Sequence, residues 1–201
     1  FEEMAIPAPA YYLGVGSGDH GAQTGRMLEK IEEVLHREQP HLCVVYGDTN
    51  TTLAGALAAV KQHIPTAHIE AGLRSYDRRM PEEINRLVAD QICEFRFCPT
   101  RTAVENLQKE GIHSGVFLTG DVMYDCLLFY RRRLQPHHSA LLEQFGLAAG
   151  GYFLATIHRA ENTDDASRLE QIIAGLSRIA ETLAPVLLPL HPRTAARLEQ
   201  M

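Results

Sequence analysis

The sequence predicts an α/β protein built on parallel sheets, and three observations carry that prediction. Short apolar runs of strand length alternate with helical segments along most of the 201 residues. Those runs are apolar at nearly every position rather than at alternate ones, the pattern of strands buried on both faces. The composition, 45% hydrophobic and 22% charged, is that of a folded globular chain. A parallel sheet covered by helices on both faces is the expected architecture.

Taken in order, the elements agree with it. LGVGSGDHG (13–21) carries glycines like a phosphate loop, but it matches GxGxxG imperfectly and no clear strand precedes it. It is read as a turn into a helix over 21–37. HLCVVYG (41–47) reads as a strand and TTLAGALAAVKQH (51–63) as the Ala-rich helix after it. PTAHIEA (65–71) is the next strand, and PEEINRLVADQIC (81–93) the next helix. Pro81 followed by two glutamates suits a first helical turn, because proline lacks the N–H that would go unpaired there and carboxylates favour the positive end of the dipole. EFRFCP (94–99) leads to a helix over 102–111 that Gly111 stops, and GVFLTG (115–120) leads to a helix over 121–134. Residues 135–150, QPHHSALLEQFGLAAG, interrupt the rhythm, with His137 and His138 expected in solvent. GYFLATIH (151–158) then restarts it, followed by an amphipathic helix over 166–183 and a strand at 185–191. Two α/β units are expected, divided as 1–120 and 121–201.

The formal net charge of −6 argues against a general nucleic-acid binder, which would show a basic face. A few clustered arginines can still hold a small phosphorylated ligand. The four cysteines, Cys43, Cys93, Cys98 and Cys126, have neither CxxC nor zinc-site spacing, so reduced core thiols in a cytoplasmic protein are expected. No segment is long enough to span a bilayer. The opening FEEMAIPAPA lacks the features of a signal peptide, and PLHPRTAARLEQM stops inside a predicted helix, so an internal fragment is expected.

In a parallel α/β sheet, ligands bind beyond the carboxyl ends of the strands. That rule selects Asp48 after the first strand, Glu70, Arg74 and Glu82 after the second, and His158, Arg159, Glu161 and Asn162 after the strand at 151–157. Asp48 reads equally as the N-cap of the next helix. Glu82 and Glu83 read alone as dipole partners, Arg78 and Arg79 as a solvated loop, and His158 as either structural or functional. Glu70 is harder to treat as incidental: it ends an apolar strand, where an unpaired carboxylate is costly, so a partner or ligand is implied. His191, in His191-Pro-Arg193, ends a later strand and is a weaker candidate for the same cleft.

GDTNTTLAGALAA, HIEAGLRS, MPEEINR, the TGD at 119–121 and TIHRAENTDD together resemble the non-hydrolysing UDP-N-acetylglucosamine 2-epimerases, in the right order and over essentially the whole chain. The hydrolysing relatives typically carry GDR-type and GGE-type motifs where this chain has GDT and IEAGLR. The resemblance implies two Rossmann-like domains of the GT-B glycosyltransferase type, both incomplete here, with residues 1–120 most of the first. It implies inversion at C2 of a UDP-N-acetylhexosamine through elimination of UDP and its re-addition, with no metal or nicotinamide cofactor. It assigns catalytic roles to Asp48, Glu70, Glu82 and His158, and places Arg74, Arg86, Arg159, Glu161 and Asn162 around the substrate. It also implies a homodimer, with no nucleic-acid or membrane partner. Family members are nearly twice this length, so the fragment alone is expected to be inactive. Ala160, where HRREN-type motifs have arginine, leaves a UDP-diacetamido-uronic acid open as the substrate. A glycosyltransferase of the same fold is the remaining alternative.

Overall fold

The computed structural model describes residues 6–134, 138–157 and 160–199, and the chain divides into two compact units, 1–127 and 128–201. The first unit opens with α1 (His20–Glu38), which the glycine-rich stretch enters as an irregular turn. β1 (Cys43–Tyr46), β2 (Thr66–Ile69), β3 (Phe95–Cys98) and β4 (Val116–Leu118) then form one parallel sheet in chain order. α2 (Asn50–Lys61), α3 (Pro81–Ile92) and α4 (Arg101–Lys109) connect successive strands, and α5 (Val122–Leu134) follows β4. The unit boundary falls within α5.

The alanine-rich sequence of α2 explains how closely it packs. Ala54, Ala56, Ala58 and Ala59 are buried, and a Cβ on Gly55 would come within 3.1 Å of Val45. Small side chains let the helix lie directly on β1, and α1 closes over it through Leu35, Leu28 and Ile31. Val45, Ala56, Ala89 and Cys93 form the core between the sheet and α2 and α3. Gly72, just after β2, has φ +78°, and a Cβ there would stand 2.3 Å from the Ala103 carbonyl oxygen, so only glycine fits.

Among the described residues the connecting helices α2, α3 and α4 lie on one face of the sheet. Strands added in chain order through right-handed crossovers place their helices on one side. The register pairs Val45 with His68 and His68 with Arg96, and these face the helices. Tyr46, Ile69, Phe97 and Phe117 share the opposite face, where Tyr46 is 62% and Phe117 46% exposed among the described residues. The cysteine expectation is corrected in part. All four thiols are free, but only Cys93 and Cys98 are buried; Cys43 is half-buried and Cys126 exposed. Burial pushes the Cys93 thiol up to about 12 and that of Cys98 to about 11, leaving both as inert core groups.

The second unit contains α6 (His138–Gln144), β5 (Phe153–Leu154), α7 (Ala160–Thr163), α8 (Ala166–Thr182), β6 (Val186–Leu187) and α9 (Pro192–Leu198). β5 and β6 pair in parallel, with α8 in the crossover between them. Asp165 caps α8 by accepting from the Arg168 N–H at 3.1 Å. The buried Thr194 hydroxyl donates to the Ile157 carbonyl at 2.6 Å, tying α9 to the end of the strand segment. Among the described residues no helix is long and apolar enough to cross a membrane.

Candidate active site

The register of the first sheet aligns its carboxyl ends. Tyr46 stands beside Ile69, Ile69 beside Phe97, and Cys98 beside Leu118. The residues that follow, Gly47-Asp48, Glu70 and the segment reaching Asp121, therefore emerge along one edge, and the first turn of α3 brings Glu82 and Glu83.

Asp48 is not the cap of α2. Thr49 takes that place, its N–H donating to the Thr52 hydroxyl at 3.2 Å. The Asp48 side chain is left to Arg86, whose guanidinium donates to Oδ2 at 2.5 Å, and the Asp48 carbonyl accepts from Asn85 at 2.8 Å. Two consecutive residues of α3 thus hold one loop residue of the neighbouring strand. Asp121 does act as a cap, accepting from the Met123 N–H at 2.8 Å at the start of α5.

Glu82 and Glu83 have separate environments, a distinction the sequence left undrawn. Glu83 is 2% exposed and accepts from the Ser75 N–H and hydroxyl, each at 2.9 Å, and from the Tyr76 N–H at 3.0 Å. Arg86 completes the set at 2.9 Å. Burial pushes this carboxyl's pKa up, but the donors from Ser75, Tyr76 and Arg86 outweigh burial and hold it below the ordinary value. Glu82 is half-buried, and among the described residues its carboxylate makes no hydrogen bond or ion pair.

Glu70 is similarly without a hydrogen-bond donor among the described residues. Its pKa is raised, first by burial and then by the nearby charges of Asp121 and Asp48, while His68 and Arg86 pull the other way. Its backbone lies in the left-handed region at φ +74°. A strained, half-buried carboxylate with a raised pKa and no donor is the profile of a group kept for chemistry.

Arg74, expected around the substrate, is engaged within the protein. Its side chain is 1% exposed and fully engaged, with Asp90 at 2.7 Å and with both oxygens of Glu110 at 2.7 and 2.6 Å. Burial alone would lower its pKa, but these carboxylates raise it, so the charge is fixed and the side chain fastens the loop. Tyr76 extends the anchor by donating its hydroxyl to Asn106 at 2.7 Å, and Asn106 donates to the Gly72 carbonyl at 2.9 Å.

Sequence reasoning missed His68 and Asp90, whose buried contact lies beneath the rim. The available signal was the run Glu83, Arg86, Asp90, charged residues at i, i+3 and i+7 on α3 where an apolar stripe would be expected. In the second unit, Asn162 is half-buried and His191 exposed. His158 and Arg159, like His137, lie outside the described residues, as do the side chains of His138, Glu161 and Arg193.

The family model for UDP-N-acetylglucosamine 2-epimerase matches residues 1–201. A UDP-2,3-diacetamido-2,3-dideoxy-D-glucuronate 2-epimerase of Pseudomonas aeruginosa is 52% identical over 205 residues, covering 100% of this chain and 56% of its own length. A UDP-N-acetylglucosamine 2-epimerase homolog of Methanococcus maripaludis is 52% identical over 200 residues, with 100% and 55% covered. Among solved structures, the Methanocaldococcus jannaschii UDP-GlcNAc 2-epimerase in complex with UDP-GlcNAc and UDP superposes with a TM-score of 0.86 at 46% identity, covering 100% of this chain and 56% of that one. The chain spans about half the length of these relatives.

Proposed function

Because the chain belongs to the UDP-N-acetylglucosamine 2-epimerase family, we propose that it forms the catalytic-carboxylate half of an enzyme inverting C2 of a UDP-N-acetylhexosamine. The observation that carries this reading is the contrast along one rim. Asp48 is ion-paired to Arg86, while Glu70 and Glu82 receive no donor and Glu70 is pushed toward the protonated form. Carboxylates in different protonation tendencies at one edge suit the removal of a carbon-bound proton on one face and its return on the other.

In this reading a base takes the C2 proton, the C2–H electron pair forms the C1=C2 double bond, and the C1–O bond breaks to release UDP. The reverse addition returns UDP to C1 and delivers a proton to the opposite face of C2. Asp48, Glu70 and Glu82 supply the proton-transfer groups and Arg86 fixes Asp48. By the family resemblance His158 is assigned to the diphosphate side and Arg159, Glu161 and Asn162 help to shape the same site, with His191 a further candidate from its place at a strand end. A homodimer in the cytoplasm belongs to the same reading and rests on the family resemblance alone.

The Pseudomonas aeruginosa relative, 52% identical across the whole chain, favours a second substrate, a UDP-diacetamido-uronic acid. The test is proton NMR in D2O with a protein of the relatives' full length that carries this chain. UDP-GlcNAc converting to UDP-ManNAc with deuterium at C2 supports the first substrate. Deuterium entering only the uronic acid substrate moves the assignment to the second, and incorporation into neither refutes the epimerase reading.

A further inference from the structure

One carboxylate on α3 reaches both loops that carry the rim. Asp90 and His68 are each 0% exposed. The His68 Nδ1 lies 2.7 Å from Asp90 Oδ1, and Nε2 donates to the Gly47 carbonyl at 2.7 Å. A carbonyl only accepts, so Nε2 carries a proton and the ring spans a fixed path from Asp90 to the residue beside Asp48. The second Asp90 oxygen accepts from the Gly72 N–H at 3.0 Å and from Arg74 at 2.7 Å.

His68 and Gly72 flank Glu70, two residues to either side. The turn that holds Glu70 is therefore gripped at both ends by the same carboxylate. That turn needs holding, because φ +74° is a conformation that residues with a branched or long side chain rarely adopt. The Glu70 carboxylate also rests against Gly47: a Cβ at Gly47 would come within 3.3 Å of Glu70 Oε2. The network thus fixes the turn that presents Glu70, the wall it rests on and the backbone leading into Asp48. A buried ion network contributes little stability compared with apolar side chains of the same volume, so stability alone does not account for one at this position.

We infer that His68 and Asp90 are positioning residues for the proposed epimerisation, holding Glu70 in its strained turn and Asp48 at a fixed place beside it without touching substrate. This inference rests on the epimerase reading. The test compares wild type, Asp90→Asn, His68→Gln and, as a control in the α1–α2 core away from the strand ends, Leu35→Ala, in the same full-length protein. Steady-state kinetics, C2 deuterium incorporation and thermal melting are measured on each. A displacement on the order of 1 Å at a reacting group lowers turnover roughly 100-fold, and that fall in kcat is expected for Asp90→Asn and His68→Gln. KM should stay within about threefold, as for a loss confined to the transition state. Leu35→Ala is expected to melt lower and keep its kcat. The inference is overturned if both network variants retain kcat within about threefold of wild type, or if their loss follows melting temperature on the same line as Leu35→Ala. Should Asp90→Asn fail to fold, His68→Gln decides alone. A wild type that incorporates no deuterium refutes the epimerase reading itself, a result separate from any difference between variants.

Discussion

Glu82 and Glu83 are adjacent on α3, yet they belong to two different layers of the molecule. Glu83 joins His68, Asp90 and Arg74 in a buried layer where every charge has an opposite charge or several donors against it. Glu82 joins Asp48, Glu70 and Asp121 on the rim above, where Arg86 pairs with Asp48 and the charges of Asp48 and Asp121 raise the Glu70 pKa. The lower layer gains rigidity from being satisfied. The upper layer keeps groups whose remaining interactions are left for a ligand, because a half-buried carboxylate without donors is costly unless something else binds it. The same residue type one position apart therefore does opposite work, and helix geometry separates the two, since neighbouring residues on an α-helix point about 100° apart.

Neutralising the rim glutamate gives the largest expected effect. Glu82→Gln in the full-length protein should lower turnover by about 10²–10⁴-fold, the usual contribution of a positioned acid or base, while leaving the melting temperature near wild type. Retained turnover in Glu82→Gln would remove it from the catalytic set.

Much of the first unit was legible in the sequence because its strands are continuous apolar runs and its helices begin and end on Pro81 and Gly111. The strand-end rule placed Asp48 and Glu70 at the rim because it depends only on where a strand stops, and the first turn of α3 brings Glu82 there. What stayed hidden depends on the direction of side chains. The GDT motif could not say whether Asp48 or Thr49 caps α2, since both residue types accept from backbone N–H groups. Arg74 sits in the motif of a substrate contact, but its guanidinium turns inward to Asp90 and Glu110, a pairing made across the fold. Strand order was likewise unreadable, because it is a property of pairing and not of periodicity.

The next effect is on stability and belongs to the lower layer. Glu83→Ala leaves the Ser75 and Tyr76 N–H groups and one arm of Arg86 without their acceptor in a part-buried place, and should destabilise the protein by about 2 kcal/mol. Urea or thermal unfolding checks this, and a loss similar to that of an exposed substitution would show that the loop at 73–80 holds without it.

The pH dependence of stability sharpens the comparison further, because the two layers have opposite signs. Glu83 has its folded pKa lowered, so its contribution is present above the unfolded carboxylate value and is lost as pH falls through the lower folded value. Glu70 has its folded pKa raised by burial, Asp121 and Asp48, against His68 and Arg86, so folding disfavours its ionised form. Its cost is absent below the unfolded value and grows as pH rises through the folded one. Melting curves should therefore show Glu70→Gln above wild type at pH 7, the gap closing on acidification through the carboxylate range. Glu83→Gln should lie below wild type at pH 7 and converge with it in acid. Two variants shifting in the same direction would contradict the division into layers.

The smallest effect is expected where charge pairing is strong in appearance and open to water. Arg79 holds the Asp77 carboxyl at about 2 through hydrogen bonds from its side chain and backbone, with the closest pair at 2.8 Å. Yet the Arg79 side chain is 91% exposed, so solvent screens the pair and ordering two mobile side chains offsets the attraction. Asp77→Asn should leave the melting temperature unchanged within error at pH 7, even though the loop it sits in carries the Ser75 and Tyr76 anchors. A clear loss would mean that the loop is held from its exposed tip as well as through Glu83 beneath it, and that the layer of fixed charge extends further toward the surface than Arg74, Glu83 and Asp90.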